Sequence, residues 1–118
     1  MFKMTAEHLF WAPVKVAVPG EAAPATFEMR FEALSSDEAM ALSEAAMAAA
    51  GRSLEAGADE EMRQIRRICR DWRDVVDAGG AELPFSEAAL DEACRWAWVR
   101  TAIIRGYIEA VTGARAGN

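Results

Sequence analysis

Two of the predicted helices of this chain, the second and the third, are joined by the segment Trp72-Arg-Asp-Val-Val-Asp-Ala-Gly-Gly-Ala-Glu-Leu-Pro-Phe-Ser86. It begins with the apolar end of an amphipathic helix, turns through Gly79-Gly80, and offers Ser86 as the N-cap of the next helix. Phe85 and Leu90 have the spacing of a hydrophobic staple around that cap. No side chain in the segment belongs to a catalytic motif. The segment is therefore predicted to be a packing joint between two helices.

Upstream of the joint, two apolar patterns of period two predict a β-hairpin. The first pattern comprises Val14, Val16 and Val18. The second comprises Phe27, Met29 and Phe31, which alternate with charged residues. Pro13 lies near the start of the first predicted strand and Pro19 ends it, both positions where a missing N–H is tolerated. Because a two-stranded hairpin is marginal alone, helices must cover its apolar face.

Helical patterns account for much of the remaining chain. The first predicted helix has a capping box at Ser35 and Glu38 and ends near Gly51. Residues 52–58 are predicted to be a linker. The second predicted helix runs from Asp59 to about Val76, because its apolar residues are spaced three and four apart. These apolar residues are Met62, Ile65, Cys69, Trp72 and Val76.

The C-terminal part of the chain is also predicted to be helical. A short third helix, about residues 87–95, follows Ser86, and a fourth ends at Thr112. The sequence does not decide whether residues 86–112 form one bent helix or two, since no proline marks a break. The order of elements predicts an α+β fold, an N-terminal antiparallel β-hairpin packed against three or four α-helices. We expect a single domain over residues 1–118, with residues 113–118 as a flexible tail.

Composition limits the classes of function. Of the 118 residues, 53% are hydrophobic and 27% charged, as in a globular protein. The net charge of -6 disfavours a dedicated nucleic-acid binder and a binder of anionic membranes, since both need a basic face. No apolar run has the length of a membrane span, and Met1–His8 lacks the pattern of a signal peptide. Cys69 and Cys94 are expected to be reduced and mostly buried, in a cytoplasmic protein.

Enzymatic chemistry has little support in the sequence. The only histidine, His8, lies near the terminus and is predicted to be an exposed surface group. No Cys/His cluster has zinc-ligand spacing, and there is no glycine-rich phosphate loop, nucleophile elbow or HExxH motif. Carboxylate pairs such as Asp59-Glu60 and Asp91-Glu92 are explained by helix electrostatics. We therefore expect no enzyme, and no catalytic, cofactor-binding or metal-binding residues.

A stripe of arginines is the most prominent charged feature. Its members recur at helical spacing opposite the apolar residues of the second predicted helix: Arg63, Arg66, Arg67 and Arg70. Taken alone, the helix face Arg63–Arg73 is typical of a small regulatory protein associated with nucleic acid.

Carboxylates near these arginines favour a different interpretation, a solvated face held by salt bridges. Four pairs of opposite charge stand four residues apart: Asp59–Arg63, Arg67–Asp71, Arg70–Asp74 and Arg73–Asp77. Such pairs cancel most of the local field. If the stripe binds anything, an acidic partner protein is favoured over nucleic acid.

Two tryptophans near the end of the chain are further candidates for partner binding. Trp96 and Trp98 are two residues apart, so on a helix they point about 200° away from each other and cannot both face one core. Two interpretations stay open: one of them is exposed or caps the bend between the last two helices, or the pair serves structural filling, which the sequence favours. An exposed tryptophan is a frequent anchor of protein interfaces.

Several segments together resemble the bacteriophage tail assembly chaperone family. The N-terminal segments Met1–Glu7, Phe10–Val16 and Phe27–Phe31 are similar to the start of small members. The joint segments Trp72–Asp77 and Leu83–Ser86, followed by Ala102–Ala110 and Thr112–Arg115, complete the likeness. The chain departs from the family at Ala93–Trp98, where relatives often carry a short turn with a proline.

The resemblance implies a non-enzymatic factor of long-tailed phages or prophages. Such proteins bind the tape measure protein, keep it soluble, help recruit tail tube proteins, and are absent from the finished particle. Many also have a longer form made by ribosomal frameshifting, for which residues 113–118 are the natural junction. The family supplies no catalytic or binding residues to transfer, and homo-oligomerisation and the role of a structural virion subunit stay open.

Overall fold

The structure, a computed structural model, describes residues 1–113 and contains three strands and four helices in that range. The strands are β1 (Leu9–Val16), β2 (Ala25–Glu32) and β3 (Cys69–Arg73), which form one antiparallel sheet in the order β1-β2-β3. The helices are α1 (Ser36–Arg52), α2 (Leu54–Ile68), α3 (Glu87–Ala93) and α4 (Ala97–Thr112). This arrangement confirms the predicted α+β class. Gly113 ends α4 with φ 74, and the rest of the predicted tail lies outside the described residues.

The predicted hairpin is confirmed, but the bounds of its first strand differ. The register pairs Val14 with Phe27. β1 begins well before Val14, and Val18 lies beyond its end. Pro13 therefore stands inside the strand rather than near its start. It is tolerated there because β1 is an edge of the sheet, so a position without an N–H can face away from β2.

The second predicted helix is wrong in its last part, which forms β3. α2 ends at Ile68, and the chain then pairs with the free edge of β2. The register shifts between Arg30 and Phe31, so one residue of β3 is extra. This bulge lets Cys69 and Trp72, three residues apart, both face the core. A spacing of three is also that of a helix, which is why the pattern predicted a helix here.

The predicted linker at residues 52–58 is also wrong, because only Ser53 separates α1 from α2. The Ser53 hydroxyl accepts a hydrogen bond from the Ala56 N–H at 3.0 Å, while its own N–H donates to the Ala49 carbonyl. One residue thus ends one helix and caps the next. The result is a helical hairpin in which α1 packs mainly against α2.

The core lies between the apolar face of the sheet and the helices. Its largest fully buried side chains are Phe31, Met29, Ile65, Leu90, Ile103 and Val14. α4 packs closely on β1, and a Cβ on Gly106 would lie only 3.0 Å from the Pro13 carbonyl oxygen. No helix within the described part of the chain is long and apolar enough to cross a bilayer.

The joint has the predicted turn and cap. The Asp77 carboxylate accepts hydrogen bonds from the N–H groups of Gly79 and Ala81, and Gly80 has φ 88. The Ser86 hydroxyl accepts a hydrogen bond from the Ala89 N–H at 3.0 Å, so Ser86 is the N-cap of α3. Residues 86–112 form two helices, since α3 ends at Ala93 and α4 begins at Ala97.

Candidate partner-binding surfaces

The predicted arginine stripe is split between two elements. Arg63, Arg66 and Arg67 lie on α2, whereas Arg70 and Arg73 lie on β3. The four pairs predicted four residues apart do not form in the described residues. Three of them fail because the helix that would have aligned them ends at Ile68, and the fourth, Asp59–Arg63, is replaced by a contact of Arg63 with Glu60 inside α2. Apart from Arg63, the arginines bind carboxylates from other elements of the chain instead.

Arg67 and Arg70 share the carboxylate of Glu32 on β2. Arg67 lies 3.1 Å from Glu32 and Arg70 lies 2.6 Å from it. Arg67 also donates two hydrogen bonds to Glu38, at 2.7 and 2.8 Å, so Glu38 does not complete the predicted capping box. The pKa of Glu32 is lowered, mainly because its carboxylate accepts a hydrogen bond from Arg67. Burial raises the pKa of the same carboxyl by less, so the net shift is downward. This half-buried cluster connects α1, α2, β2 and β3.

The remaining arginines are engaged as well. Arg66 lies 2.9 Å from Asp91 and joins α2 to α3. Arg63 binds Glu60 within α2 rather than the predicted Asp59. Arg73 lies 2.9 Å from Glu28 and 4.2 Å from the ring centroid of Trp11. The predicted stripe is therefore a set of intramolecular contacts and presents no single free cationic face.

Trp96 and Trp98 lie together at the start of α4. Their ring centroids are 6.0 Å apart and their planes are 27° from parallel. The expectation that they point apart is wrong, because Trp96 is the N-cap residue and has an extended backbone, φ -99 and ψ 125. Trp96 is 55% exposed, and Trp98 is half-buried beneath it. Of the two interpretations left open by the sequence, the structure has the exposed tryptophan, which is Trp96 at the bend between α3 and α4.

An apolar cavity of about 330 Å³ lies beside Trp98. Its wall includes Phe27 of β2, Ile103 of α4 and Val76 of the joint. Val76 is 58% exposed, although the helical pattern predicted it to be buried. We call Trp96, Trp98 and Val76 the tryptophan patch. Val76 was missed because the sequence placed it on the apolar side of a helix that does not extend so far.

A second apolar surface lies on α1. Only Ala49 of this helix is buried, so most of its alanines face solvent. Met40 and Met47 are exposed, seven residues apart and hence on the same side of the helix. Leu54, at the start of α2, is 94% exposed.

The two cysteines are buried and unbonded. Burial raises the pKa of the Cys69 thiol and that of Cys94, the latter to about 11. Both are therefore packing residues rather than reactive thiols. Within residues 1–113, no group of three or more histidine, cysteine or acidic side chains is arranged to hold a metal ion.

Comparison of the chain with family models, with curated proteins and with solved structures finds no match.

Proposed function

We propose that this protein is a non-enzymatic phage tail assembly chaperone. It binds the tape measure protein in the cytoplasm of the bacterial host and helps recruit tail tube subunits. The tryptophan patch is the observation that supports a binding role. The identity of the client rests on the resemblance of the chain to the chaperone family.

The patch has the features of an interface anchor. Tryptophan is enriched among the residues that dominate binding energy, above all beside an apolar pocket that a partner side chain can fill. Trp96 keeps more than half of its surface in solvent, although core positions lie one and two turns away, at Val99 and Ile103. The methionines of α1 add an adaptable surface, suited to a long and irregular client.

The arginine contacts weigh against the regulatory, nucleic-acid-associated alternative. Each of Arg63, Arg66, Arg67 and Arg70 already lies beside a carboxylate. Phosphate contacts would require breaking these pairs in a chain of net charge -6. A gel-shift assay at about 50 mM salt, where phosphate contacts are strongest, tests this alternative. A salt-sensitive shift would favour it.

Co-expression with the tape measure protein of the same gene cluster tests the proposal. We expect the chaperone to raise the soluble fraction of the tape measure protein and to co-purify with it. Trp96→Ala should weaken the complex by about 2 kcal/mol or more, close to thirtyfold, if Trp96 is an anchor. Ile108→Ala, which truncates another exposed apolar side chain of α4, is the matched control and should bind normally.

Failure of the client to become soluble and to co-purify would contradict the proposal. Mass spectrometry of purified particles separates a chaperone from a structural virion subunit. We expect the protein to be absent from the particles, and its presence there would favour the structural role.

A further inference from the structure

A large groove lies on the side of the molecule formed by β1, the start of α1 and α4. Its volume is about 1300 Å³, and it is open to solvent. Phe10 and Tyr107, whose ring centroids are 6.3 Å apart, line it, and Trp11 lines it from the opposite face of β1. Small residues of the two main elements form much of the rest: Ala12, Ala102, Gly106 and Ala110. The groove is a different surface from the tryptophan patch and shares no residue with it.

The groove carries two positively charged side chains. Lys15 of β1 and Arg105 of α4 both line it, and both are exposed. Neither forms an ion pair with another residue in the range 1–113, unlike the arginines of α2 and β3. Glu109 is the one acidic side chain in the lining. Two unpaired cations beside an apolar groove complement a partner that carries carboxylates next to apolar side chains.

The edge of β1 cannot pair well with a partner strand. Pro13, in the middle of β1, has no N–H to donate. Its carbonyl oxygen lies against α4, where a Cβ on Gly106 would come within 3.0 Å. A partner in this groove must therefore satisfy its own backbone hydrogen bonds, as an α-helix does.

The N-terminal segment of a second copy is a poor match for the groove. Its exposed apolar side chains, Met1, Phe2 and Met4, would suit an apolar wall. However, they flank the cationic side chain of Lys3. The Lys3 ammonium group would face Lys15 and Arg105, so like charges would oppose each other.

We infer that this groove binds an amphipathic α-helix of a partner polypeptide, with acidic side chains bordering its apolar stripe. Lys15 and Arg105 contact the carboxylates, and Phe10 and Tyr107 receive the apolar stripe. The inference rests on the proposed function, because a helical client would supply such a segment.

A synthetic amphipathic peptide tests the groove without the client. The probe is a helix of about 20 residues, close to 30 Å long, made of leucine, alanine and glutamate. A matched peptide has every glutamate replaced by lysine, and a third has the acidic sequence scrambled to remove the apolar stripe. Two-dimensional amide NMR of the isotope-labelled full chain locates binding, and fluorescence anisotropy measures Kd.

We expect the acidic helix to shift the resonances of groove residues, and the lysine and scrambled peptides to bind more weakly. The double variant Lys15→Glu/Arg105→Glu should raise the Kd of the acidic helix by about fivefold or more, since two attractions become repulsions. Arg52→Glu is the matched control. Arg52 is an exposed cation at the far end of α1, in no ion pair within the described part of the chain, so its reversal should leave Kd within about twofold.

An unchanged Kd in the double variant, or shifts that map outside the groove, would overturn the inference. Dimerisation in sedimentation that is lost when residues 1–5 are deleted would instead identify a second copy as the occupant. These outcomes leave the proposed function testable on its own. If the client co-purifies and depends on Trp96 while the peptide does not bind, the groove assignment fails and the chaperone role stands.

Discussion

The indole N–H of Trp72 donates a 2.8 Å hydrogen bond to the carbonyl oxygen of Leu83. This bond joins the end of β3 to the segment that leads into α3. The Trp72 ring also packs edge-on against Phe85, with centroids 5.2 Å apart, and against Phe27 of β2 at 6.3 Å. One buried side chain therefore holds the sheet, the joint and the start of α3 together.

Trp72→Phe should lower the free energy of unfolding by about 1–2 kcal/mol, because a half-buried carbonyl loses its donor while an aromatic ring remains. Urea denaturation measures the change. Trp96→Phe, at an exposed ring, is the control and should stay within about 0.5 kcal/mol of the wild type. Equal losses in the two variants would contradict the role assigned to the Trp72 hydrogen bond.

Gly106→Ala should be destabilising, although alanine is the better helix former by about 1 kcal/mol. The new Cβ would lie 3.0 Å from the backbone oxygen of Pro13, so α4 or β1 must shift. We expect a loss of about 1–3 kcal/mol in thermal or urea unfolding.

Gly57→Ala in α2 is the matched control for that substitution. Its Cβ would meet the Ala50 Cα at 3.6 Å, an ordinary contact, so the change should be neutral or stabilising. If both variants were equally stable, the close approach of α4 to β1 would be wrong.

Glu32→Gln should remove a pH-dependent part of the stability. The pKa of Glu32 is lowered in the folded protein, chiefly by its hydrogen bond to Arg67, from an ordinary value of 4.5. A lowered folded pKa gives stability that is fully present above 4.5 and is lost as the pH falls through the folded pKa. The difference in unfolding free energy between wild type and variant should therefore be largest near neutral pH and shrink on acidification.

Urea titrations from neutral to acidic pH measure this dependence. Glu44→Gln, at an exposed position of α1 with no ion pair in the residues described, is the control. A difference for Glu32→Gln that stays constant across the whole range would contradict the ionic role of Glu32.

Both thiols should resist modification in the native state. Burial raises the pKa of Cys94 to about 11, so about one thiol in a thousand is ionised near pH 8. Cys69 is also buried, with its pKa raised. We expect an aromatic disulfide reagent to react slowly with the folded protein and rapidly with both thiols in urea. Rapid reaction without denaturant would show that the cysteines are accessible.

Much of the fold was predictable because its signals are local. The caps at Ser35 and Ser86 and the turn at Gly79-Gly80 depend on groups within a few residues of each other. The strand pattern of Phe27–Phe31 is equally local, and its buried side is the apolar one. These features appear where the sequence places them.

Most errors occurred where distant residues meet. The linker predicted at residues 52–58 is the exception, since the Ser53 cap that begins α2 is a local hydrogen bond. The sequence predicts Arg70 on a helix and paired with Asp74, but Arg70 lies on β3 and binds Glu32, 38 residues away in the chain. The stacking of Trp96 on Trp98 depends on α4 beginning after Trp96. Lys15 and Arg105 are also distant in the chain. They line the same groove because α4 packs on β1.

The amino-acid sequence by itself determined the hairpin, the helix caps, the turn and the α+β class, since short-range hydrogen bonds and apolar periodicity specify them. The tertiary structure alone decided that Cys69–Arg73 is a strand. The free edge of β2 offers hydrogen-bond partners to that segment. A β-bulge then allows Cys69 and Trp72, which are three residues apart as in a helix, to face the same side of the sheet. It also decided which arginines are paired and which cations are left free. Charge pairing depends on distances in space, and these exist only after the sheet and helices have packed.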